Sequence, residues 1–338
     1  VLLDFYFSQA ARSRVMLFPQ EDAELLDSLG SVVLSPSFLH RVAGKNPRPI
    51  CNLSSNNKNG VNQMVADFEA NPDGYTTIPG IAKLIVQSYV SMVTNPADYG
   101  IDDVEKISLA MLVADAADAF TRVSVSAKAV GMQCMRIAGI TVVPMCCLFG
   151  WRRSAEVSSH VTASIMATYI ADLQSATFID KDLIEEWEEK GCWTLSAKFR
   201  DLIMDQAPKF PRLIEAHVDE FCVLADTQDR GYIGAAADLI WSIKSHLGAA
   251  SISVKKFLEY SFWSGFQKII GAWFNVETFT VTMPHNKIQE VIDILESDDF
   301  SESATEFEID ICATLRGKLR WALLATKLGD APALIHLE

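Results

Sequence analysis

The chain has 338 residues, of which 49% are hydrophobic, and it carries a formal net charge of −14 with a pI near 4.9. This length and apolar content predict a folded protein with two or three lobes. Because nucleic-acid binding draws on clustered Lys and Arg, the negative net charge excludes a protein that holds nucleic acid by overall charge alone. Locally basic stretches mean that a basic cleft is not excluded.

The cysteines and the apolar runs bear on the cellular setting. Seven cysteines without a CxxC pair predict reduced thiols in a cytoplasmic or nuclear protein, with neither a disulfide framework nor a zinc site. The longest weakly polar run, 137–151, is interrupted by polar residues and is shorter than the roughly 18–20 residues that a membrane span needs. We therefore expect a soluble protein without a membrane partner. Since it starts at Val1, we expect a piece of a longer chain.

The first third of the chain contributes cations but no catalytic pattern. Residues 1–40 mix short apolar runs with a predicted helix at 21–29. Lys45 and Arg48 then flank a short β-type run. Two cations beside a strand either bind a triphosphate or are solvated charges on a surface hairpin, and the pattern leaves both open. Apolar residues at helical spacing over 81–93 predict a packed helix.

A nearly continuous apolar run, 107–114, ends at a carboxylate. Such a run is typical of a central strand that is buried on both faces, and Asp115 follows it directly. A buried strand that ends in a carboxylate is a candidate site, because hard cations such as Mg²⁺ prefer carboxylate oxygens.

A second acidic position lies between two further apolar runs. Residues 213–216 and 221–224 flank Val218-Asp219-Glu220, which predicts two strands that meet at an acidic turn. Hairpins usually turn on Asn-Gly or Asp-Gly. A turn with two acids and no glycine therefore indicates a bound cation, and the sequence predicts a metal here.

Hairpins and helices are predicted for the remainder. Residues 132–145 indicate a hairpin, and 268–275 with 278–283 indicate a strand pair joined at 276–277. The acid-rich stretch 172–211 is typical of solvent-facing helices in an insertion. Helices are predicted at 154–169, 239–247, 284–295 and 311–325.

Two of these segments resemble the catalytic motifs of reverse transcriptases. Asp115-Ala-Ala-Asp118-Ala-Phe120 is similar to the first motif, in which an aromatic residue follows the metal-binding aspartate by five positions. His217-Val-Asp219-Glu220 resembles the Tyr-x-Asp-Asp turn, with histidine in place of the aromatic residue and Glu220 in place of the second aspartate.

Four more segments resemble motifs of the same family, in the same order along the chain. Together the six cover roughly residues 35–325. Leu148, Asn52 and Ser54 depart from the family pattern, as in a degenerate copy. The four segments are 48–54 (the fingers strand), 147–154 (the Leu-Pro-Phe/Gln-Gly motif), 269–276 (the primer grip) and 314–319 (the segment after the thumb in retrotransposon enzymes).

The resemblance implies an α+β fold: a right-hand polymerase palm, made of an antiparallel sheet with packed helices, with fingers and a partial thumb. It implies an N-terminal segment and fingers over 1–106. The palm would span 107–283 with the acidic insertion at about 172–211, and the thumb or connection would start at 284–338. The implied source is a retrotransposon of the tyrosine-recombinase or long-terminal-repeat type, with further polyprotein domains encoded elsewhere.

The implied activity is that of an RNA-directed DNA polymerase, a nucleotidyltransferase. In the family, the 3′-hydroxyl of a primer on an RNA or DNA template attacks the α-phosphate of a dNTP, while two Mg²⁺ ions clamp the attacking and leaving oxygens. Mn²⁺ is an alternative ion. By resemblance, Asp115, Asp219 and Glu220 are the catalytic metal ligands.

The resemblance also implies a set of substrate-binding residues. Each has an ordinary alternative: a core aromatic residue, a turn glycine or a solvated lysine. Arg48 and Lys45 would neutralise the triphosphate, Phe120 would exclude a 2′-hydroxyl, Gly150 beside Phe149 would let the backbone approach the nucleotide, and Lys256 (or equally Lys255) would lie near the leaving pyrophosphate.

Two other classes of function stay open. The first is a catalytically inactive reverse-transcriptase-like remnant that binds nucleic acid or protein. The second is an unrelated metal hydrolase with two carboxylates, which would cleave phosphodiesters without added nucleotides. Primer extension by wild type and by Asp115→Asn and Asp219→Asn variants separates these classes.

Overall fold

The computed structural model describes residues 2–19, 32–41, 48–55, 60–64, 76–174, 213–228, 231–252, 257, 261–300 and 309–326. They form a mixed α+β structure of mostly antiparallel sheets with packed helices, which confirms the predicted class. The strands are Val15–Pro19 (β1), Leu34–Ser35 (β2), Ser37–His40 (β3), Arg48–Cys51 (β4), Leu109–Asp115 (β5), Cys134–Ile137 (β6), Ile140–Pro144 (β7), Leu213–His217 (β8), Glu220–Asp226 (β9), Phe266–Ile269 (β10), Ala272–Asn275 (β11) and Thr280–Thr282 (β12).

The helices of the described residues confirm those predicted at 81–93, 154–169, 239–247, 284–295 and 311–325, and most extend further. The helix predicted at 21–29 lies outside the described residues. The α-helices are Leu2–Ala10 (α1), Val61–Met64 (α2), Ile78–Thr94 (α3), Ala119–Arg122 (α4), Ala127–Val130 (α5), Ser154–Gln174 (α6), Gly231–Leu247 (α7), His285–Leu295 (α8) and Ile309–Thr326 (α9).

The sheet that carries the acidic motifs has the order β5-β9-β8, with both pairs antiparallel. Strand β9 is therefore its central strand. The expectation that the 107–114 run is the central strand is wrong for this sheet. Among the described residues, β5 pairs along its length with β9, and its other edge forms a single bridge, between Met111 and Ser264. The six residues of β5 before Asp115 are nevertheless buried as predicted, because burial depends on what packs on the faces and not only on neighbouring strands.

One face of this sheet shares a hydrophobic core with helix α3 and with the second sheet, β10-β11-β12. Leu109, Met111 and Val113 of β5 belong to this core. Thr77 is the N-cap of helix α3, and its hydroxyl accepts the Gly80 N–H at 3.3 Å, which satisfies one of the free donors of the first turn.

The run 268–275 contains two strands, not the single strand expected. Ile270 and Gly271, with φ of 52° and 82°, form a two-residue turn that reverses the chain between β10 and β11. Positive φ at both central positions is the type I′ pattern, which usually requires Asn-Gly. The turn was hidden because a β-branched residue rarely adopts this conformation.

A further sheet has the order β1-β7-β6-β2, and strands β3 and β4 form an antiparallel pair. The predicted hairpin at 132–145 is confirmed as β6 and β7. Its turn is Ala138–Gly139, again with positive φ at both positions. Among the residues described, no helix is both long and apolar enough to cross a membrane.

The chain divides into two compact units, each assembled from separated stretches. The first comprises Val1–Gly74, Ala116–Ile165 and Ile243–Ser251. The second comprises Tyr75–Asp115, Met166–Ser242 and Ile252–Glu338. The boundaries 1–106, 107–283 and 284–338 stay a prediction. Most of the acidic insertion predicted at 172–211 lies outside the described residues.

Buried thiols of the first unit generate a prediction about alkaline stability. Burial raises the pKa of Cys51 and Cys146 to about 12, from an ordinary value of 9.0. Between pH 9 and 12 the unfolded chain therefore loses thiol protons that the folded chain keeps, so the free energy of unfolding falls as pH rises. We expect urea unfolding under reducing conditions to show lower stability at pH 10 than at pH 8.

The control for this prediction is the double variant Cys51→Ala and Cys146→Ala. Removing the two thiols should make the decline in stability between pH 8 and pH 10 shallower without abolishing it, because burial also raises the pKa of Cys134 and Cys147 to about 11. An equally steep decline in the double variant would contradict the assignment to these thiols.

Candidate functional site

The two acidic stretches of the sequence meet across one strand pair. Asp115, the last residue of β5, lies directly opposite Glu220, the first residue of β9. Glu220 is also opposite His217, the last residue of β8. Directly paired residues of an antiparallel sheet project from the same face. The ends of three neighbouring strands therefore form one row of Asp115, Glu220 and His217.

The same register brings Asp219 close to Asp115. Adjacent Cα atoms are about 3.8 Å apart and paired Cα atoms about 4.5–5.5 Å apart, so the two aspartate Cα atoms lie within about 9 Å. Asp115, Asp219 and Glu220 are all half-buried. The structure thus places the three acidic residues that the sequence selected at one end of the β5-β9-β8 sheet.

The turn between β8 and β9 is strained at its first position. It consists of Val218 and Asp219 alone, because His217 pairs with Glu220. Val218 has a φ of 59°. A positive φ at the first central residue but not at the second is the type II′ pattern, which favours glycine at that position. A β-branched residue there is an outlier that costs of order 1–3 kcal/mol, and such strain clusters at functional sites.

His217 is fixed by the backbone before helix α3. Its Nδ1–H donates to the Thr76 carbonyl at 2.8 Å, and the Thr76 N–H donates to the Ala216 carbonyl at 2.9 Å. Thr76 therefore binds the end of β8 through both backbone groups. This explains how a histidine occupies the position of the aromatic residue in the resembled motif: its ring is held by a hydrogen bond.

Glu220 is engaged by the turn of a neighbouring hairpin. Its Oε2 accepts the backbone N–H of Ile270 at 3.2 Å. Ile270 is the first residue of the type I′ turn between β10 and β11, in the segment that resembles the primer grip. No sequence pattern predicts this contact, because it depends on a turn within an apolar run.

The acidic row could supply only a small number of protein ligands to a divalent cation. In the described part of the chain, no three His, Cys, Asp or Glu side chains form a group that could hold a metal ion. Mg²⁺ usually binds through one or two carboxylates together with waters and substrate phosphates. The chemistry and spacing of Asp115 and Asp219 fit that mode.

The first unit collects three of the residues predicted to bind nucleotide. The Phe120 and Phe149 rings meet edge to face, with centroids 5.3 Å apart. The Phe149 carbonyl accepts the Cys51 N–H at 3.0 Å. Gly150, with a φ of 103°, lies so close to strand β4 that a Cβ would come within 2.0 Å of the Cys51 carbonyl oxygen. The close approach that Gly150 makes here is therefore to the chain's own backbone.

The predicted cations are only partly described. Lys45, Lys255 and Lys256 lie outside the described residues. Arg48 is the first residue of β4, and its backbone pairs with His40. Their predicted roles with a triphosphate or pyrophosphate stay predictions.

A cluster of arginines that was not predicted from the sequence surrounds Asp118. Arg14 is only 10% exposed and donates to the Asp118 carboxylate at 3.1 Å and to the Thr121 hydroxyl at 2.9 Å. Arg12 donates to the same carboxylate at 3.3 Å. The alternating Arg12 and Arg14 beside strand β1 gave only a weak signal, because their partners are more than 100 residues away.

Arg122 completes this cluster by bonding to backbone carbonyls. It donates to Ala117 at 2.6 Å and Leu247 at 3.1 Å, and also to Ala250. Burial, with a contribution from Arg14, lowers the pKa of its guanidinium. Three arginines around one carboxylate make this part of the first unit locally basic, despite the acidic chain.

Comparisons with known proteins find similarity among solved structures. No protein-family model and no curated protein matches the chain. The dRH form of a foamy viral protease-reverse transcriptase in complex with double-stranded DNA is 9% identical, with a TM-score of 0.49 over 96% of this chain and 42% of that chain.

A second structure of the foamy viral protease-reverse transcriptase in complex with double-stranded DNA is 10% identical. Its TM-score is 0.46 over 94% of this chain and 49% of that chain. The chain therefore spans less than half the length of each.

The packing of Gly150 against β4 predicts a specific loss of stability. Gly150→Ala should destabilise the first unit because its Cβ collides with a backbone oxygen as well as adopting a positive φ. Gly139→Ala is the matched control, since Gly139 has a φ of 77° but no atom within 4 Å of the added Cβ. We expect the control to cost about 1–2 kcal/mol and Gly150→Ala roughly a further 1–3 kcal/mol in urea unfolding. Equal losses would contradict the collision.

Proposed function

We propose that the chain is the polymerase part of a retroelement protein, an RNA-directed DNA polymerase that adds dNTPs to a primer 3′-hydroxyl on an RNA or DNA template. The antiparallel α+β fold is compatible with a palm over 107–283, between fingers and the start of a thumb. The observation that carries the proposal is the pairing of β5 with β9, which brings Asp115 beside the acidic turn that holds Asp219.

The metal ligands that we propose are Asp115 and Asp219. When bound between them, Mg²⁺ would supply positive charge against the oxygens of the reacting phosphate. The chain's own contribution is to hold the two carboxylates at fixed spacing on the ends of paired strands. Rigid placement of charge before reaction is the main way in which a protein accelerates phosphoryl transfer.

The transfer that we propose forms one bond and breaks one. The primer oxygen bonds to the α-phosphorus, the bond from that phosphorus to the bridging oxygen breaks, and pyrophosphate leaves. The hydroxyl proton passes from the primer oxygen to solvent water. No covalent enzyme intermediate is required, because positioning and charge stabilisation suffice.

Sugar selection is the role that we propose for Phe120. Its ring packs edge to face on Phe149, and Asp118, two residues earlier, is held by Arg12 and Arg14. The contact with Phe149 restricts the Phe120 ring, and a ring must stay in place to exclude a 2′-hydroxyl. The arginine cluster also offers local positive charge for nucleic acid or triphosphate, which answers the objection raised by the net charge of −14.

The alternative is a reverse-transcriptase-like remnant that binds nucleic acid without catalysis. The departures at His217 and Glu220 favour it, and both residues make backbone hydrogen bonds in the structure. Such a protein would retain binding of a primer–template duplex and give no extended product at any Mg²⁺ or Mn²⁺ concentration.

Carboxamide substitution tests the proposed metal ligands. Asp115→Asn and Asp219→Asn keep the shape but remove the charge, so each should reduce Mg²⁺-dependent primer extension on an RNA template by about 10³-fold or more, a loss of about 4 kcal/mol. Asp102→Asn, at an exposed position of the same unit, is the charge-matched control and should extend normally. Normal extension by either motif variant would refute the assignment.

A second substitution tests sugar selection. Phe120→Ala should admit ribonucleotides, so the preference for dNTP over rNTP in single-nucleotide incorporation should fall by about 10-fold or more. Phe38→Ala, which removes an exposed ring from the same unit, should leave the preference unchanged. An unchanged preference in Phe120→Ala, with incorporation retained, would make Phe120 a core residue only.

A further inference from the structure

We propose that Glu220 is a positioning residue that fastens the acidic turn to the β10–β11 turn, and that it does not bind metal. This inference rests on the proposed function, and it changes the role that the resemblance implies for this side chain. Its basis is the hydrogen bond from the Ile270 N–H to Glu220 Oε2, which joins two turns 50 residues apart in the chain.

The location of Glu220 connects the acidic turn to the β10–β11 turn. It follows Asp219 directly and lies opposite Asp115 on the neighbouring strand. Its side chain shares the sheet face of Cys222 and Leu224, which pack in the same core as the β10-β11-β12 sheet. The carboxylate is therefore directed at the face on which the Ile270 turn packs.

Ile270 needs such a partner more than an ordinary turn residue does. It has a φ of 52° at the first position of a type I′ turn, where a β-branched side chain is unfavourable. The N–H at this position points away from the hairpin's own ladder, so a ladder carbonyl does not satisfy it. A half-buried donor left without a partner would add to the strain. Glu220 satisfies this donor.

This contact depends on the length of the glutamate side chain. An aspartate at position 220 would place its oxygens about 1.5 Å nearer the backbone, one C–C bond short. The existing hydrogen bond is already 3.2 Å long, so a carboxylate about 1.5 Å further away would be out of hydrogen-bonding range. The glutamate that replaces the family's second aspartate is thus suited to reach Ile270.

The contact also links two strained turns. Val218 and Ile270 are both β-branched residues with positive φ, and Glu220 follows the first turn while binding the second. Fixing the separation of the two turns also fixes Asp219, which is the second residue of the first turn. Asp115 and Asp219 then suffice as protein ligands, since Mg²⁺ takes waters and substrate phosphates for its other positions.

Two substitutions at position 220 give opposite results under the two roles. Glu220→Gln keeps the length and an acceptor oxygen but loses the charge, whereas Glu220→Asp keeps the charge but loses the length. For a positioning residue we expect Glu220→Gln to extend primers within about 3-fold of wild type and Glu220→Asp to lose about 10-fold or more. The Mg²⁺ concentration that gives half-maximal extension should be unchanged in Glu220→Gln.

The reverse order would overturn the proposal. Strong extension by Glu220→Asp with loss in Glu220→Gln, or a raised Mg²⁺ requirement in Glu220→Gln, would make Glu220 a metal ligand. Circular dichroism of each variant checks that it is folded. If Glu220→Asp fails to fold, Glu220→Gln alone decides, because retention of extension with an unchanged Mg²⁺ requirement supports the positioning role.

Amide hydrogen exchange at Ile270 tests the contact independently of catalysis. The amide should exchange at least about 10-fold faster in Glu220→Asp and Glu220→Ala than in Glu220→Gln and wild type. Equal exchange in all four proteins would refute the contact. If the wild type extends no primer, the proposed polymerase function fails, and this measurement still decides whether Glu220 joins the two turns.

Discussion

The antiparallel register of β5 against β9 is the constraint on which the candidate site depends. Leu109, Met111 and Val113 must face the core, and they alternate with residues of the opposite face. A slip of one residue would turn this whole set away from the core, so burial fixes the register strongly. Asp115 continues the same stripe by one more step. Its position opposite Glu220 is therefore a consequence of hydrophobic packing several residues away.

Strained backbone conformations and the hydrogen bonds that hold them lie at the same end of the β5-β9-β8 sheet. Val218 and Ile270 adopt conformations that their side chains disfavour, and both lie in two-residue turns. Such conformations persist only where surrounding contacts determine them. The Thr76 bonds to β8 and the Glu220 bond to Ile270 provide those contacts. Carboxylates held on a sheet end by core packing and by backbone bonds need little rearrangement to meet a cation.

In the first unit, too, contacts from distant parts of the chain hold the candidate residues in place. Arg14 and Arg122 bind Asp118, Thr121 and three backbone carbonyls around the segment that carries Phe120. Gly150 lets the Phe149 segment lie directly against β4. These contacts fix two aromatic rings that a solvent-exposed loop would leave free to move. Packing and hydrogen bonds thus fix two aromatic rings in the first unit and the carboxylates in the second.

The sequence by itself determined the elements and the candidate acids. Helical spacing located α3, α6, α7, α8 and α9, and the apolar runs located β5, β8 and β9, because periodic burial is a local property of the chain. The same runs ended at Asp115 and at the 218–219 turn, so the acids could be chosen without a structure.

Only the tertiary structure decided what those elements contact. It made β9 rather than β5 the central strand of the acidic sheet, divided the 268–275 run at Ile270, and directed Glu220 to a backbone N–H. It also joined Arg14 to Asp118. Each of these depends on partners that are distant in sequence or on a φ that the residue type disfavours, and local pattern carries information about neither.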